Sequence, residues 1–494
     1  MQDAIPEYDL LVVGGGVNGC GIAADAAGRG LRVALCEQSD LAAGTSSAST
    51  KLIHGGLRYL EYYEFSLVRQ ALAEREVLLQ AAPHIVWPLR FRLPHMPGLR
   101  PRWMLRAGLF LYDHLSRRNR LAGSRSLRLG GDSPLKPELR HAFEYSDCWV
   151  DDSRLVVLNA MQAADRGACI MTRTRCVETR SVAKGWQVTL EDCNTSKRQK
   201  LQARALVNAT GPWVDRFAAM QGESSNSRSV RLVKGSHIVV PRLYAGNEAY
   251  MLQHVDRRII FVIPWEEDFS LIGTTEEKYD ADPAAAGISA DEQRYLLRVV
   301  NENFRAQLSA GDILHSFAGV RPLLEGESDD STSLSRDYTL DFQTDPAPLL
   351  TVHGGKITTY RRLAEAALQS LKPIFPDMGP EWTANAVLPG GEFADQATLF
   401  RELATRHPWL PDGVLERWVR SYGRRIEALL GDASRLEDLG RHWGQGLYER
   451  ELQYLESAEW ARTAADVLWR RSKLGLRFSK AEVEALEQRM QGVL

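Results

Sequence analysis

With 494 residues, 44% of them hydrophobic and 25% charged, the chain has the composition of an ordinary globular protein and enough length for two or three domains around a large core. Its formal net charge of -2 gives no global sign of nucleic acid as a partner. Six cysteines (Cys20, Cys36, Cys148, Cys169, Cys176, Cys193) without a C-x-x-C pair speak against a disulfide framework, an iron–sulfur cluster or a zinc centre, and no metal site is expected. The opening MQDAIPEYD lacks the basic and apolar regions of a signal peptide, and no run approaches the roughly 18 apolar residues that span a bilayer. The expected location is the cytoplasm, including the cytoplasmic face of the membrane.

Leu10–Val13 predicts a buried strand that runs into Gly14-Gly15-Gly16-Val17-Asn18-Gly19, a match to G-x-G-x-x-G. Small residues then allow a helix to lie close against that strand, Gly30 suits the turn out of it, and a second strand, Leu31–Cys36, ends at Glu37. This is the order of a dinucleotide site. Gly14 makes the tight turn, Gly16 lets backbone approach a pyrophosphate, Gly19 lets helix and strand pack, and Glu37 is placed for ribose hydroxyls. The fingerprint alone does not separate a nicotinamide from a flavin, but its place at the head of a long chain favours a tightly held FAD.

Thr45, Ser46, Ser47, Ser49 and Thr50 crowd ahead of Lys51 and a Gly55-Gly56-Leu57-Arg58-Tyr59 turn, which suits a loop lying on cofactor phosphates and ring system. Ser66–Ala82 predicts an amphipathic helix ended by Pro83. Between Arg90 and Arg128 ten arginines meet one acid, Asp113, for a local net charge of +9. The piece Trp103–Tyr112 inside it reads equally as a helix lying in an anionic membrane surface and as a core helix with solvated arginines; a nucleic-acid patch is disfavoured.

Leu155–Ala168 predicts a helix, and Ala205–Asn208 a strand that returns to the cofactor crevice at Ala209-Thr210-Gly211-Pro212-Trp213. Residues 231–275 alternate strands and turns as in an antiparallel, substrate-facing sheet, followed by a helix over 291–308 and a strand over 313–324. Leu349–Val352, Gly354-Gly355-Lys356-Ile357-Thr358-Thr359 and a helix repeat the opening pattern, placing a second helix N-terminus beside the flavin. After Pro389-Gly390-Gly391 the chain predicts helices, around 414–430 and 448–471, with five tryptophans and no catalytic constellation.

The motifs GGGVNGCGIAADAAGRG, TSSASTKLIHGGLRYLE, YSDCWVDDSRL, VNATGPW, KGSHIVVP, GVRPL, SRDYTLDF and HGGKITTYRRLAE together closely resemble the FAD-dependent, respiratory glycerol-3-phosphate dehydrogenases of the D-amino-acid-oxidase-like superfamily. The resemblance implies a Rossmann-like α/β FAD-binding domain in three parts (residues 1–85, 151–230 and 313–388), a basic, aromatic cap segment (86–150), an antiparallel-sheet cap (231–312) and an all-helical C-terminal domain (392–494). It implies oxidation of sn-glycerol 3-phosphate to dihydroxyacetone phosphate by hydride transfer to FAD, electrons passing to a membrane quinone, in a peripheral homodimer; an oxygen-reducing oxidase is the alternative.

Carried onto this sequence, the expected cofactor contacts are Gly14, Gly16, Val17, Asn18, Gly19, Glu37, Thr45, Ser46, Ser47, Lys51, Leu52, Gly55, Gly56, Gly211, Trp213, Gly355, Lys356, Ile357 and Thr358. The expected substrate contacts are Arg58, Tyr59, His237, Arg321, Arg336, Lys356 and Thr359. A phosphate dianion needs fixed cations, which Arg58, Arg321 and Arg336 would supply. Oxidising an alcohol also requires a base, for which His237 is the candidate, with Arg321 and Lys356 able to stabilise an alkoxide.

Overall fold

The strand Glu7–Val13 stands at the centre of the computed structural model, which describes residues 5–96, 98–220, 230–324 and 338–492. Its last four residues are buried because helices cover both faces of the parallel sheet it belongs to. Parallel neighbours are Val33–Cys36 on one side and Arg198–Asn208 on the other, and Cys169–Met171 and Leu349–His353 extend the ladder outward. Thr339–Gln343 closes one edge antiparallel, and a hairpin, Thr174–Val182 with Gly185–Asp192, pairs with Arg198–Asn208. The helices Val17–Gly28, Asp152–Ala164 and Tyr360–Leu371 pack on this sheet.

A second sheet of ten strands is built around Val230–Pro241, which pairs antiparallel with His315–Leu324 and Phe269–Gly273. It continues through Ile259–Trp265 and Ala249–Gln253 to Val86–Pro94 and His141–Val150. The pairing of Ala249–Gln253 with Val86–Pro94 is parallel, and it joins strands from the basic segment to those of the expected cap. Leu52–Ile53, at the end of the hydroxyl-rich loop, pairs with His141–Val150. This pairing fixes that loop between the two sheets.

The fold class is as expected, an α/β dinucleotide-binding unit with a largely antiparallel second sheet and a helical C-terminal unit. The helix expected over 291–308 ends at Asn303, and two expectations in the C-terminal unit also change. Over 448–471 the chain does not form one helix: Glu449–Ala458 ends before Trp460, which takes φ +56°, and a π-helical turn, Asp466–Arg471, follows. Over 414–430 Gly423, at φ +54°, separates Asp412–Tyr422 from Ile426–Leu430.

Apolar packing is continuous from Leu10 and Ile22 through Leu363 to Trp418, Leu455 and Val467, so the C-terminal helices share the core of the cofactor-binding unit. Across that junction run buried ion pairs: Arg154 with Glu459, and Arg471 Nη1 and Nη2 on the Asp40 oxygens at 2.8 and 2.9 Å. Removing one member of such a pair strands the other charge away from water. Since Asp40 keeps Arg470 as a second partner, Arg471→Met is expected to lower unfolding stability by about 1–3 kcal/mol, measured by denaturant titration. An unchanged transition would show that Asp40 is satisfied without Arg471.

Candidate functional site

The site begins at the turn between the first strand and first helix. Gly14 has φ +116°, and a Cβ there would sit 2.4 Å from the Ala209 carbonyl oxygen. A Cβ on Gly19 would sit 1.9 Å from the Gly14 carbonyl oxygen, so only hydrogen at both positions lets helix, strand and the 209–213 turn meet. Gly16 precedes the helix in extended backbone, and the Val17 N–H donates to Ser46 Oγ at 3.0 Å. Glu37 accepts from the Gly15 N–H at 2.7 Å and the Ser39 N–H at 2.8 Å, which holds its carboxylate at the glycine turn. Glycines that leave the turn open, a helix N-terminus and a fixed carboxylate fit the diphosphate and ribose of FAD.

The hydroxyl-rich loop is pinned from both sides. Thr45 Oγ1 donates to the Val320 carbonyl at 2.5 Å, and Thr45–Ser47 forms one 3-10 turn. Asn18 Nδ2 donates to the Gly354 carbonyl at 3.1 Å, joining the fingerprint helix to the turn that holds Lys356. Gly355, at φ +97°, lies against Asn18, and Ile357–Thr359 leads into the helix beyond. Thr358 and Thr359 are buried, and Thr358 Oγ1 accepts from the His54 N–H at 3.3 Å. Gly211, at φ +59°, opens the turn that carries Trp213, whose ring lies beside Gly44.

Lys51, expected among the cofactor contacts, has its ammonium paired within the protein. Its Nζ donates to Asp152 Oδ1 at 2.7 Å and to the Ser47 carbonyl at 3.1 Å, and the side chain is buried. Burial favours this pairing because an unpaired ammonium there would be costly. Leu52 is buried in a strand, where it pairs across to Trp149. Gly55 donates its N–H to Tyr112 Oη at 2.8 Å, and Gly56, at φ +77°, begins the turn to Arg58 and Tyr59. Arg58 is held by Tyr62 Oη at 3.3 Å, and the Lys356 ammonium lies 4.0 Å from the Tyr59 ring centre. Arg336 lies outside the described residues.

His237 and Arg321 occupy paired strands whose period of two puts Phe317, Gly319 and Arg321 on the same face as Gly235 and His237. The imidazole is 1% exposed, stacks on Phe317 with ring centres 5.0 Å apart and places Nε2 3.0 Å from Thr50 Oγ1. It also lies over Gly273, where a Cβ would be 2.1 Å from the ring. Sequence reasoning missed Phe317 and Gly273 as its supports; a glycine inside a strand marks such a close approach but does not name the visitor. Burial, with Arg321 and Lys51 nearby, holds His237 well below the ordinary histidine pKa of 6.5, so the ring is neutral at physiological pH. Its Nδ1 has no hydrogen-bond partner among the described residues.

Arg321 crosses Gly235, donating to Glu276 Oε1 and Thr274 Oγ1 at 3.2 Å each; a Cβ on Gly235 would come within 2.5 Å of the guanidinium. On this face Gly319 lies under Ala48 of the hydroxyl-rich loop. His237, Arg321 and the hydroxyl-rich loop thus meet on one face of the second sheet. No cluster suited to a metal ion occurs among the described residues.

Comparison with known proteins places this geometry in context. A family described as FAD dependent oxidoreductase matches residues 9–361, and one described as the C-terminal domain of alpha-glycerophosphate oxidase matches 382–492. A glycerol-3-phosphate dehydrogenase of Pseudomonas aeruginosa is 58% identical over 98% of this chain and 95% of its own. A D-erythritol 1-phosphate dehydrogenase of Brucella abortus is 51% identical over 96% of each. The crystal structure of a Bacillus halodurans glycerol-3-phosphate dehydrogenase complexed with FAD superposes with a TM-score of 0.76 at 26% identity, covering 98% of this chain and 94% of that one.

The Gly14–Gly19 contact gives the site its first test. Gly19→Val is expected to yield protein lacking bound flavin, read as loss of the visible absorbance, because the added atoms force the helix off the strand. Full flavin content in this variant would remove the glycines from the cofactor site.

Proposed function

The chain belongs to the FAD-dependent oxidoreductases, and from that membership we infer that it oxidises sn-glycerol 3-phosphate to dihydroxyacetone phosphate and passes the electrons to a membrane quinone. The observation that carries this reading is the sheet face that a buried imidazole, His237, shares with the Arg321 guanidinium beneath the hydroxyl-rich loop.

FAD, when bound, supplies the two-electron oxidant. The chain's own residues do the rest. Arg321, held in place by Glu276 and Thr274, offers a planar donor set to a phosphate dianion, with Arg58, Lys356 and Arg336 as the further cations of this reading. His237 receives the hydroxyl proton. In the tautomer whose Nε2–H donates to Thr50, Nδ1 keeps the lone pair, and the lowered pKa keeps the ring unprotonated in mildly acidic solution. Arg321 and Lys356 stabilise negative charge as the proton leaves. The 51% identical erythritol-phosphate relative supports a second reading, a longer polyol phosphate in the same crevice, which parallel assays on the two substrates separate.

The acceptor side of the reading rests on the helix Arg102–His114. No described helix is long and apolar enough to cross a membrane, but this one leaves Trp103, Met104 and Phe110 exposed at 69%, 43% and 57%. Exposed Tyr62, Tyr63 and Phe65 belong to the neighbouring segment, which the Arg100–Glu61 ion pair ties to the helix entry. Reading Trp103–Tyr112 as a membrane-surface helix turns Trp103, Leu109 and Phe110 outward together, but Leu109 faces the core and is 1% exposed, as is usual for one side of an amphipathic helix. Local charge is also lower than the sequence count suggests, since Glu144 binds Arg90 and Arg125, and Glu248 binds Arg92. Arg102 and Arg106 flank the exposed rings, an arrangement that suits anionic headgroups at on the order of 1 kcal/mol per well-placed cation. The cytoplasmic membrane face and the homodimer implied by the resemblance belong to the same proposal.

Two experiments test it. Arg321→Ala is expected to lose about 2–5 kcal/mol in kcat/KM for glycerol 3-phosphate, and less for glycerol, which lacks the phosphate and keeps only the charge-stabilising contact. Equal turnover of the two substrates by the parent protein would sink the phosphate clamp. Replacing Trp103, Met104 and Phe110 together by Ser is expected to release the protein from anionic vesicles and depress reduction of lipid-embedded quinone, while a water-soluble dye is still reduced. Unchanged sedimentation with vesicles would place the membrane contact elsewhere.

A further inference from the structure

The C-terminal helices reach the crevice through a column of rings. Their π-helical turn, Asp466–Arg471, is fixed to the cofactor-binding unit by Arg470 and Arg471 on Asp40 and by Arg173 on Asp466 at 2.7 Å. π-Helical turns are uncommon and recur where a side chain must be aimed. This one presents Trp469, whose ring lies on His315 with centres 4.0 Å apart and planes 13° from parallel. His315 and Phe317 alternate on one strand and so share a face, with ring centres 6.3 Å apart. Phe317 pairs across to His237 and stacks on it with planes 19° apart. Four rings thus run from the C-terminal unit to the imidazole.

A polar route runs beside the rings. Lys473 Nζ reaches Asp151 Oδ1 at 3.3 Å and also donates to Ser153. The next residue, Asp152, holds Lys51, and Thr50 beside it bonds His237 Nε2. Lys51 Nζ also lies 5.4 Å from the Phe317 ring centre and 5.6 Å from that of Trp265. Both routes end on the same imidazole, one at its face and one at its edge.

We propose that the C-terminal helical unit braces the base of the reaction, with Trp469 acting as a positioning residue for His237 through His315 and Phe317. This inference rests on the reading of His237 as the base. A ring held only by Thr50 and the Gly273 floor could rotate as Phe317 relaxes, and a displacement of about 1 Å at a reacting group is enough to slow a reaction on the order of a hundredfold.

The test uses the FAD-loaded protein, with flavin bleaching by glycerol 3-phosphate followed anaerobically by stopped flow. Trp469→Ala is expected to slow flavin reduction by about ten- to a hundredfold with KM little changed, and Trp469→Phe, which restores a ring, to recover most of the rate. His315→Leu interrupts the column without altering a residue of the C-terminal unit and is expected to slow reduction similarly, so the outcome stands even if Trp469→Ala folds poorly. In a His237→Ala background, Trp469→Ala is expected to have no further effect. Titration of ¹⁵N-labelled histidines, with His237 assigned by loss of its signal in His237→Gln, is expected to show its resonance shifted in Trp469→Ala at unchanged flavin content. If His237→Ala reduces flavin at the parental rate, the base reading falls and the brace with it. If His237→Ala is slow but Trp469→Ala and His315→Leu are not, or if Trp469→Ala slows both backgrounds equally, the brace alone is overturned.

Discussion

Two adjacent carboxylates at the start of one buried helix hold the architecture together. Asp151 caps Asp152–Ala164 by accepting from the Arg154 N–H, and Asp152 accepts from the Ser49 N–H and hydroxyl. Each also takes a lysine from a distant part of the chain, Lys473 from the C-terminal unit and Lys51 from the cofactor-facing loop. Although burial opposes ionisation, Lys473 and Lys51 hold the Asp151 carboxyl below its ordinary range. The helix N-terminus contributes its own partial positive charge. A buried cluster of this kind is stable only when every member is present, so the loop, the helix and the C-terminal unit are fixed relative to one another.

This arrangement explains why the opening of the chain could be read from sequence and other parts could not. Strand, glycine turn, helix and Glu37 lie within about thirty residues, and each is specified by local steric and hydrogen-bonding rules. Lys51 looked like a cation for phosphate because its neighbours in sequence are hydroxyls; its partner, Asp152, lies 101 positions away. The Arg90–Arg128 stretch was counted as +9 by summing along the chain, whereas Glu61, Glu144 and Glu248 come to it through the fold.

Side-chain direction was the other limit. Trp103–Tyr112 carries apolar residues on more than one side, so reading it as a membrane-surface helix put Leu109 outward with Phe110, whereas Leu109 and Tyr112 pack in the core. His237 was legible as a candidate from its Gly-Ser-His setting, but Phe317 and Gly273 were not, because strand pairing alone brings them to it. The break at Trp460 and the π-turn beyond it carry no periodic signal, since ion pairs to Asp40 and Arg173 set them.

Tyr112 has a consequence for how the molecule behaves at an interface. Its hydroxyl donates to Asp147 at 2.8 Å while accepting the Gly55 N–H, and Asp147 is held in turn by Arg75 at 2.6 Å. The phenol is 2% exposed, and it belongs to the helix that presents Trp103 and Phe110 outward. That helix therefore cannot tilt or sink on its own without breaking a buried bond to the backbone of the cofactor-facing loop. A load applied to the exposed rings is carried as a rigid-body load on the whole catalytic unit. On the proposed membrane-surface reading, the molecule rests on that surface like a plate on a fixed strut, with its redox centre at a constant stand-off from whatever the strut touches.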